Sequence, residues 1–209
     1  MFITSSAPNP RRNRKCLALL VSVLALPWVA HAQGRAQQLF EAGQDEAALA
    51  AAAEVPGDPA GAYLAGQVRL RMNQPAEAAQ EFQRVAGQAD PAWQAVGQSA
   101  AALAGGDLHG ALDAGTRAVA AAPGSFHANY QLGLVKAKMN DWAGAAEAFG
   151  QAANIDPMFA YAHYYAGIAN SRIKRADVMA EHLERFLKLA PMAPERPAVE
   201  SLMKTLRGR

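Results

Sequence analysis

An internal repeat constrains the fold of this chain more than any other feature. Three prolines recur at intervals of 34 residues, at Pro123, Pro157 and Pro191. In the same register Gly133 aligns with Gly167, and Phe149 aligns with Leu183. Units that start at residues 59, 92, 126 and 160 share this pattern. A period of this length predicts small units that stack because none can bury its apolar face alone.

Each unit reads as two helices joined by a turn. The first helix carries a small residue at one repeated position, at Gly66, Ser99, Gly133 and Gly167. A glycine inside a helix costs about 1 kcal/mol relative to alanine, so its recurrence predicts a close approach by a neighbouring helix. Helix-start signals at Pro75, Asp107 and Asp141 then open the second helix. Aromatic residues make up only 7% of the chain, which favours helices over sheets.

This pattern resembles the tetratricopeptide repeat, a helix-turn-helix unit of about 34 residues. The best copy runs through Leu132-Gly133, Ala145, Phe149, Ala152 and Pro157. The resemblance implies an all-α fold, an α-solenoid wound as a right-handed superhelix. We divide it into a degenerate N-terminal helix pair (33–58), four repeat units spanning 59–191 (59–91, 92–125, 126–159 and 160–191) and a C-terminal capping helix (192–209).

Residues 1–32 have the three parts of a secretory signal peptide. Basic residues come first, at Arg11, Arg12, Arg14 and Lys15. They are followed by an apolar run over residues 17–26, by Pro27 and by the small-residue cleavage site Ala30-His31-Ala32. The apolar run is shorter than the roughly 20 residues of a membrane-spanning helix. We therefore expect cleavage after Ala32 and a periplasmic protein, with anchoring by an uncleaved N-terminal segment as the alternative.

The rest of the chain excludes several classes of function. Removing the leader removes four basic groups and no acidic ones, which leaves a small acidic excess. Nucleic-acid binding needs a dense cationic surface, so we expect no nucleic-acid partner. The only cysteine, Cys16, precedes the apolar run, whereas a lipoprotein signal places its cysteine after it, so we expect no lipid anchor. No metal-binding or catalytic motif occurs, and we expect no cofactor, no metal and no enzymatic activity.

The class of function that remains is binding through a surface of the repeat array. In the repeats that this chain resembles, the first helices line a concave groove that contacts peptides. Carried over, this gives groove residues at the second, fifth and thirteenth positions of the units: Trp93, His127 and Tyr161; Tyr63, Tyr130 and Tyr164; Arg71, Lys138 and Arg172. Tyrosine and tryptophan suit binding surfaces, and the cations favour acidic groups. Purely structural roles stay open beside binding: core packing for the fifth-position tyrosines, and interaction with the helix dipole for the cations.

The sequence therefore predicts a non-enzymatic protein-interaction scaffold of the cell envelope. Its partner would be a protein or peptide segment, including one with acidic groups, bound in the concave groove. Two alternatives remain: a structural module that associates with copies of itself, and an accessory subunit of an envelope enzyme complex.

Overall fold

The computed structural model describes residue 28 and residues 30–208, and every regular element in that part of the chain is an α-helix. The helices are α1 (30–41), α2 (Asp45–Ala52), α3 (Pro59–Arg71), α4 (Pro75–Ala86), α5 (Pro91–Ala104), α6 (Leu108–Ala121), α7 (Phe126–Lys138), α8 (Trp142–Ile155), α9 (Ala160–Arg172), α10 (Ala176–Leu189) and α11 (Arg196–Arg207). The predicted leader lies outside the described residues except for residue 28 and residues 30–32. The predicted cleavage point after Ala32 falls inside α1.

From α2 to α11, helices pack mainly against their neighbours along the chain. The pairs α3–α4, α5–α6, α7–α8 and α9–α10 each form one unit, and α4–α5, α6–α7 and α8–α9 join successive units. This is the architecture of a helical-repeat solenoid, as the 34-residue period predicted.

The second helices begin where the sequence predicted. Helix α4 begins at Pro75, and the carboxylates of Asp107 and Asp141 accept hydrogen bonds from the amides of Gly110 and Gly144, at 2.9 Å each, to cap α6 and α8. The residue that turns the chain between the two helices has a positive φ of 59–83° in every unit: Asn73, Gly106, Asn140 and Lys174. A left-handed residue at this place ends the first helix and starts the turn.

The repeated small residues lie where the two helices of a unit touch. A Cβ atom built on Gly66 would lie 2.3 Å from Cε1 of Phe82, and one on Gly167 would lie 2.5 Å from Cδ2 of Leu183. Neither position has room for a side chain. In unit two the hydroxyl of Ser99 instead donates a hydrogen bond of 2.8 Å to the carbonyl of Ala111. The predicted close approach is confirmed.

Helix α11 covers the end of the array. It runs over Arg196–Arg207, within the predicted capping segment 192–209, and buries Val199 and Met203 against Leu183 and Phe186. Along the described ranges, no helix has both the length and the apolar character needed to cross a membrane.

Candidate binding groove

The first helices of the four units, α3, α5, α7 and α9, form the concave layer of the solenoid, and this layer has two halves. We call the part beneath α1 the covered half; residues lining it include Gly61, Tyr63, Leu64, Phe126, His127 and Tyr130. We call the part near the ends of the first helices the open half; residues lining it include Leu70, Arg71, Leu103, Leu134, Lys138, Tyr165 and Glu195.

Helix α1 joins the first and fourth units across the covered half. Ala32, Ala36 and Phe40 recur every four residues, so they share one face of α1, and that face is buried. The ring of Phe40 lies 5.0 Å from the ring of Tyr161 on α9. Cζ of Arg71 on α3 lies 4.1 Å from the centre of the same Phe40 ring. Phe40 therefore anchors α1 between two units that are distant in sequence.

Glu41 holds the start of α9. Its Oε1 accepts a hydrogen bond of 2.8 Å from the backbone amide of Ala160, the first residue of α9. The residue before it, Phe159, has no side-chain acceptor, whereas α3, α5 and α7 are capped by their own residues, Asp58, Asp90 and Ser125. Burial raises the pKa of Glu41 to about 7, against the lowering effect of its hydrogen bonds. A carboxylate from α1 thus replaces the missing cap.

A buried polar chain links units one and three. The hydroxyl of Tyr63 donates a hydrogen bond of 2.8 Å to Oε1 of Gln131, 68 residues away. Nε2 of Gln131 lies 3.3 Å from Oγ of Ser99, to which it donates. Because α5 places only the small Ser99 here, side chains of α3 and α7 meet across it. Burial raises the pKa of the Tyr63 hydroxyl, which stays protonated as a donor.

The structure corrects the expectation that the fifth-position tyrosines are exposed anchors. Tyr63 and Tyr130 are each 3% exposed, and the second-position Tyr161 is 2% exposed. Their rings pack into the aromatic core beneath α1, which explains the burial. Tyr164 is half-buried, with its ring 5.1 Å from that of Phe186. Core packing, the structural role left open by the sequence, applies to Tyr63 and Tyr130.

The remaining second-position residues pair with each other. The half-buried rings of Trp93 and His127 lie 4.5 Å apart, and the ring of Tyr63 meets His127 edge-on at 5.5 Å. Burial lowers the pKa of His127 to about 4, so this imidazole is neutral near pH 7. The neutral ring acts as part of an aromatic wall.

The three predicted cations have different surroundings. Arg71 forms an ion pair with Asp45 on α2 and donates a hydrogen bond of 3.2 Å to the hydroxyl of Tyr161. Its guanidinium therefore holds helices together. Arg172 is exposed and lies over the ring of Trp142, with Cζ 5.2 Å from the ring centre. Lys138 is exposed and lines the open half.

The open half is a cleft of about 530 Å³ with leucine side chains in its lining. Leu70 and Leu103 are the twelfth residues of their units, and Leu134 is the ninth residue of its unit. None of the three was among the predicted groove residues; the shared position of Leu70 and Leu103 was a usable signal, whereas Leu134 lies at a different position. At the C-terminal end of the groove, the hydroxyl of Tyr161 donates a hydrogen bond of 2.7 Å to Glu195. Apolar side chains with a few polar and charged groups beside them are the usual lining of a ligand-binding cleft.

Comparison with solved structures identifies the fold. No family model matches the sequence, and no curated protein matches it. The structure of TTC0263, a thermophilic tetratricopeptide-repeat protein from Thermus thermophilus, superposes with a TM-score of 0.59 at 18% identity, covering 86% of this chain and 99% of that one. The chain has the tetratricopeptide-repeat fold. The first such domain of Spaghetti (RPAP3), bound to the HSP90 peptide SRMEEVD, superposes with a TM-score of 0.50 at 16% identity, covering 56% of this chain and 94% of that one.

The tetratricopeptide-repeat array also contains a histidine pair outside the groove. Nδ1 of His163 and Nδ1 of His182 lie 3.1 Å apart, and Nε2 of His163 lies 3.2 Å from the carbonyl oxygen of Pro157. Burial lowers the pKa of both rings. In the part of the chain that the structure describes, no group of three His, Cys, Asp or Glu residues could hold a metal ion.

Proposed function

We propose that this chain is a non-enzymatic interaction scaffold that binds a segment of another protein in the open half of its concave groove. One observation carries the proposal: on a tetratricopeptide-repeat fold, a cleft of about 530 Å³ remains open and combines leucine side chains with an exposed lysine. The related fold in RPAP3 holds a peptide of HSP90. A protein segment is the kind of ligand that such a cleft accommodates.

The lining predicts the ligand's chemistry. Leu103 and Leu134 would receive apolar side chains of the segment, and the ammonium group of Lys138 would meet a carboxylate. Arg71 contributes less to binding because its guanidinium is already paired with Asp45. We therefore propose a partner segment that combines apolar and acidic residues.

A photo-reactive amino acid placed at Leu134 tests this proposal in cells that produce the protein. We expect a discrete cross-linked protein adduct from position 134, and none from the matched position Glu147, which is exposed on the second helix of the same unit. Replacing Leu103 by Asp should abolish the adduct, because it removes an apolar contact and places a negative charge against the acidic segment. Equal adducts from positions 134 and 147 would place the binding surface elsewhere.

We also propose that the chain works in the periplasm after export. The basic start, the short apolar run and the Ala30-His31-Ala32 exit support this location. N-terminal sequencing of the protein isolated from its native cells should give Gln33 as the first residue. Recovery of an intact N-terminus from the membrane fraction would favour an uncleaved anchor instead.

A further inference from the structure

Unit four has a contact between its two helices that the other units lack, made by two histidines. His163 lies on α9 and His182 lies on α10, 19 residues later. Their Nδ1 atoms are 3.1 Å apart, a hydrogen-bond distance, and their ring centres are 5.3 Å apart. His163 is 5% exposed and His182 is half-buried, so the contact is largely shielded from solvent. The residues at the equivalent positions of the other units are Ala62 and Glu81, Ala95 and Ala114, and Asn129 and Ala148.

A further contact fixes the hydrogen-bonding roles of the two rings. Nε2 of His163 lies 3.2 Å from the carbonyl oxygen of Pro157, in the turn that joins unit three to unit four. A carbonyl oxygen only accepts, so Nε2 of His163 carries the hydrogen of this bond, and Nδ1 of the neutral ring is an acceptor. The hydrogen between the rings then belongs to Nδ1 of His182, which donates it to His163. One proton lies between the two rings, and there is no room for a second.

The surroundings of this histidine pair favour neutral rings. Burial lowers the pKa of both imidazoles, and two weaker effects come from exposed groups on α10: Arg185 disfavours a protonated ring and Glu181 favours one. These two are the charged residues beside the pair in the lining of a cavity of about 190 Å³ next to the rings. The α8 residues in that lining, Ala153 and Asn154, are uncharged. Asp156, in the turn before α9, lines the cavity under α1 instead.

Acid removes the bond between the rings in two steps. A first proton from solvent binds Nε2 of the half-buried His182 and leaves the bond in place. A second proton must bind Nδ1 of His163. Both Nδ1 atoms then carry hydrogen and neither can accept, and two positive rings face each other at close range. Separating the rings relieves this repulsion, and it pulls α10 away from α9 at this point.

We propose that His163 and His182 form a pH-sensitive switch that ties α10 to α9 and to the turn before α9, and that acid opens it. The contact stabilises unit four above the ordinary histidine pKa of about 6.5, and its contribution is lost as the pH falls below that value. The switch lies outside the groove and needs no partner, so its test is independent of the proposed function.

Native-state hydrogen exchange of α10 in the full chain tests the proposal. We expect the opening equilibrium constant of the α10 amides to rise at least about tenfold between about pH 7.5 and about pH 5.5, because opening allows both rings to bind protons. Nitrogen-15 NMR of the histidine side chains, recorded above about pH 7, should show hydrogen on Nε2 of His163 and on Nδ1 of His182. Glu41→Gln should leave the rise at α10 unchanged, since Glu41 binds only the start of α9.

Substitutions of the two rings separate the switch from a general effect of acid. His182→Asn keeps an N–H donor near the place of Nδ1 and removes one ionising ring, so the rise should fall to about threefold. Adding His163→Gln, which keeps a donor for the Pro157 carbonyl, should make the opening constant independent of pH. His109→Asn, at an exposed position on α6, is the matched control and should keep the full rise.

The proposal is wrong if the opening constant of α10 does not change with pH in the unaltered chain, or if the double variant shows the same rise. Hydrogen on Nδ1 of His163 above about pH 7 would also contradict it, and that measurement needs no variant. Zinc that binds at micromolar concentration and removes the rise would assign the two rings to a metal site instead.

Discussion

The covered and open halves of the groove share α3 and α7 but differ in how far α1 buries them. In the covered half, Tyr63 and Tyr130 are buried under α1, and their rings form part of the main core. In the open half, Leu134 stays half-buried and Lys138 exposed, and α1 contributes only Phe40 to the lining. Recurrence within a repeat therefore tells which side chains share a face, whereas a segment outside the repeat decides which part of that face remains free.

Of the substitutions considered, Phe40→Ala should show the largest difference in stability between the two halves. This side chain is 6% exposed, so its loss should destabilise the docking of α1 by about 3–5 kcal/mol. Hydrogen exchange in residues 33–41 measures that loss directly. Leu134→Ala, in the open half, should cost about 1 kcal/mol or less in urea unfolding because its side chain already contacts solvent. Similar losses in both would mean that the two halves are equally buried.

Solution pH should affect the covered half through Glu41. Its pKa is raised from 4.5 to about 7 when α1 is docked, because burial disfavours the charged form. Docking of α1 is therefore strongest below pH 4.5, weakens by on the order of 3 kcal/mol as the pH rises to about 7, and changes little above that. Exchange-derived opening free energies of α1 across this range measure the effect.

Two substitutions provide the controls for the pH experiment. Glu41→Gln keeps an oxygen acceptor for Ala160 and removes the ionisation, so the profile of α1 opening should become flat. Glu46→Gln, on the exposed side of α2, should leave the original profile in place. A flat profile in the unaltered chain would contradict the burial of Glu41.

Removing one hydroxyl tests the link between units one and three. Tyr63→Phe leaves Oε1 of the buried Gln131 without its donor, which should cost about 1–3 kcal/mol in urea unfolding. Adding Gln131→Leu removes the orphaned acceptor and should recover part of that loss. A double variant whose loss of stability equals the sum of the two single losses would show that the two side chains are not coupled as a hydrogen-bonded pair.

The smallest effect on stability is expected at the edge of the open half. Lys138→Glu should change the free energy of unfolding by no more than about 0.5 kcal/mol, because the side chain is exposed. It should still weaken binding of an acidic partner segment, measured by the cross-linking yield from Leu134. Arg172→Glu is the matched charge reversal outside the lining of the open half. An equal loss of yield from both would indicate long-range attraction instead of contact at Lys138.

The sequence was sufficient to predict the fold because the repeat encodes it locally. The close approach at Gly66, the start of α4 at Pro75 and the end cap at α11 each depend on residues within one unit or its neighbour. The groove was harder to predict. Burial of Tyr63 and Tyr130 depends partly on α1, which reaches Ala160 from 119 residues away.

One trace of that long-range contact was visible in the sequence. The residues before three of the first helices are Asp58, Asp90 and Ser125, all good N-caps, and the fourth is Phe159. An uncapped helix in an otherwise regular array indicates an acceptor from elsewhere. Its source, Glu41, could not be chosen among the chain's other carboxylates without the three-dimensional arrangement.

The bond between Tyr63 and Gln131 also bears on how the chain resists mechanical load. In an array whose units contact only their immediate neighbours, stretching unfolds the units one after another. Here a side chain of unit one is hydrogen-bonded to unit three, and α1 is hydrogen-bonded to the start of α9 in unit four. Force applied at the two ends is therefore distributed over all the units. The array should unfold in one event instead of a series of small ones.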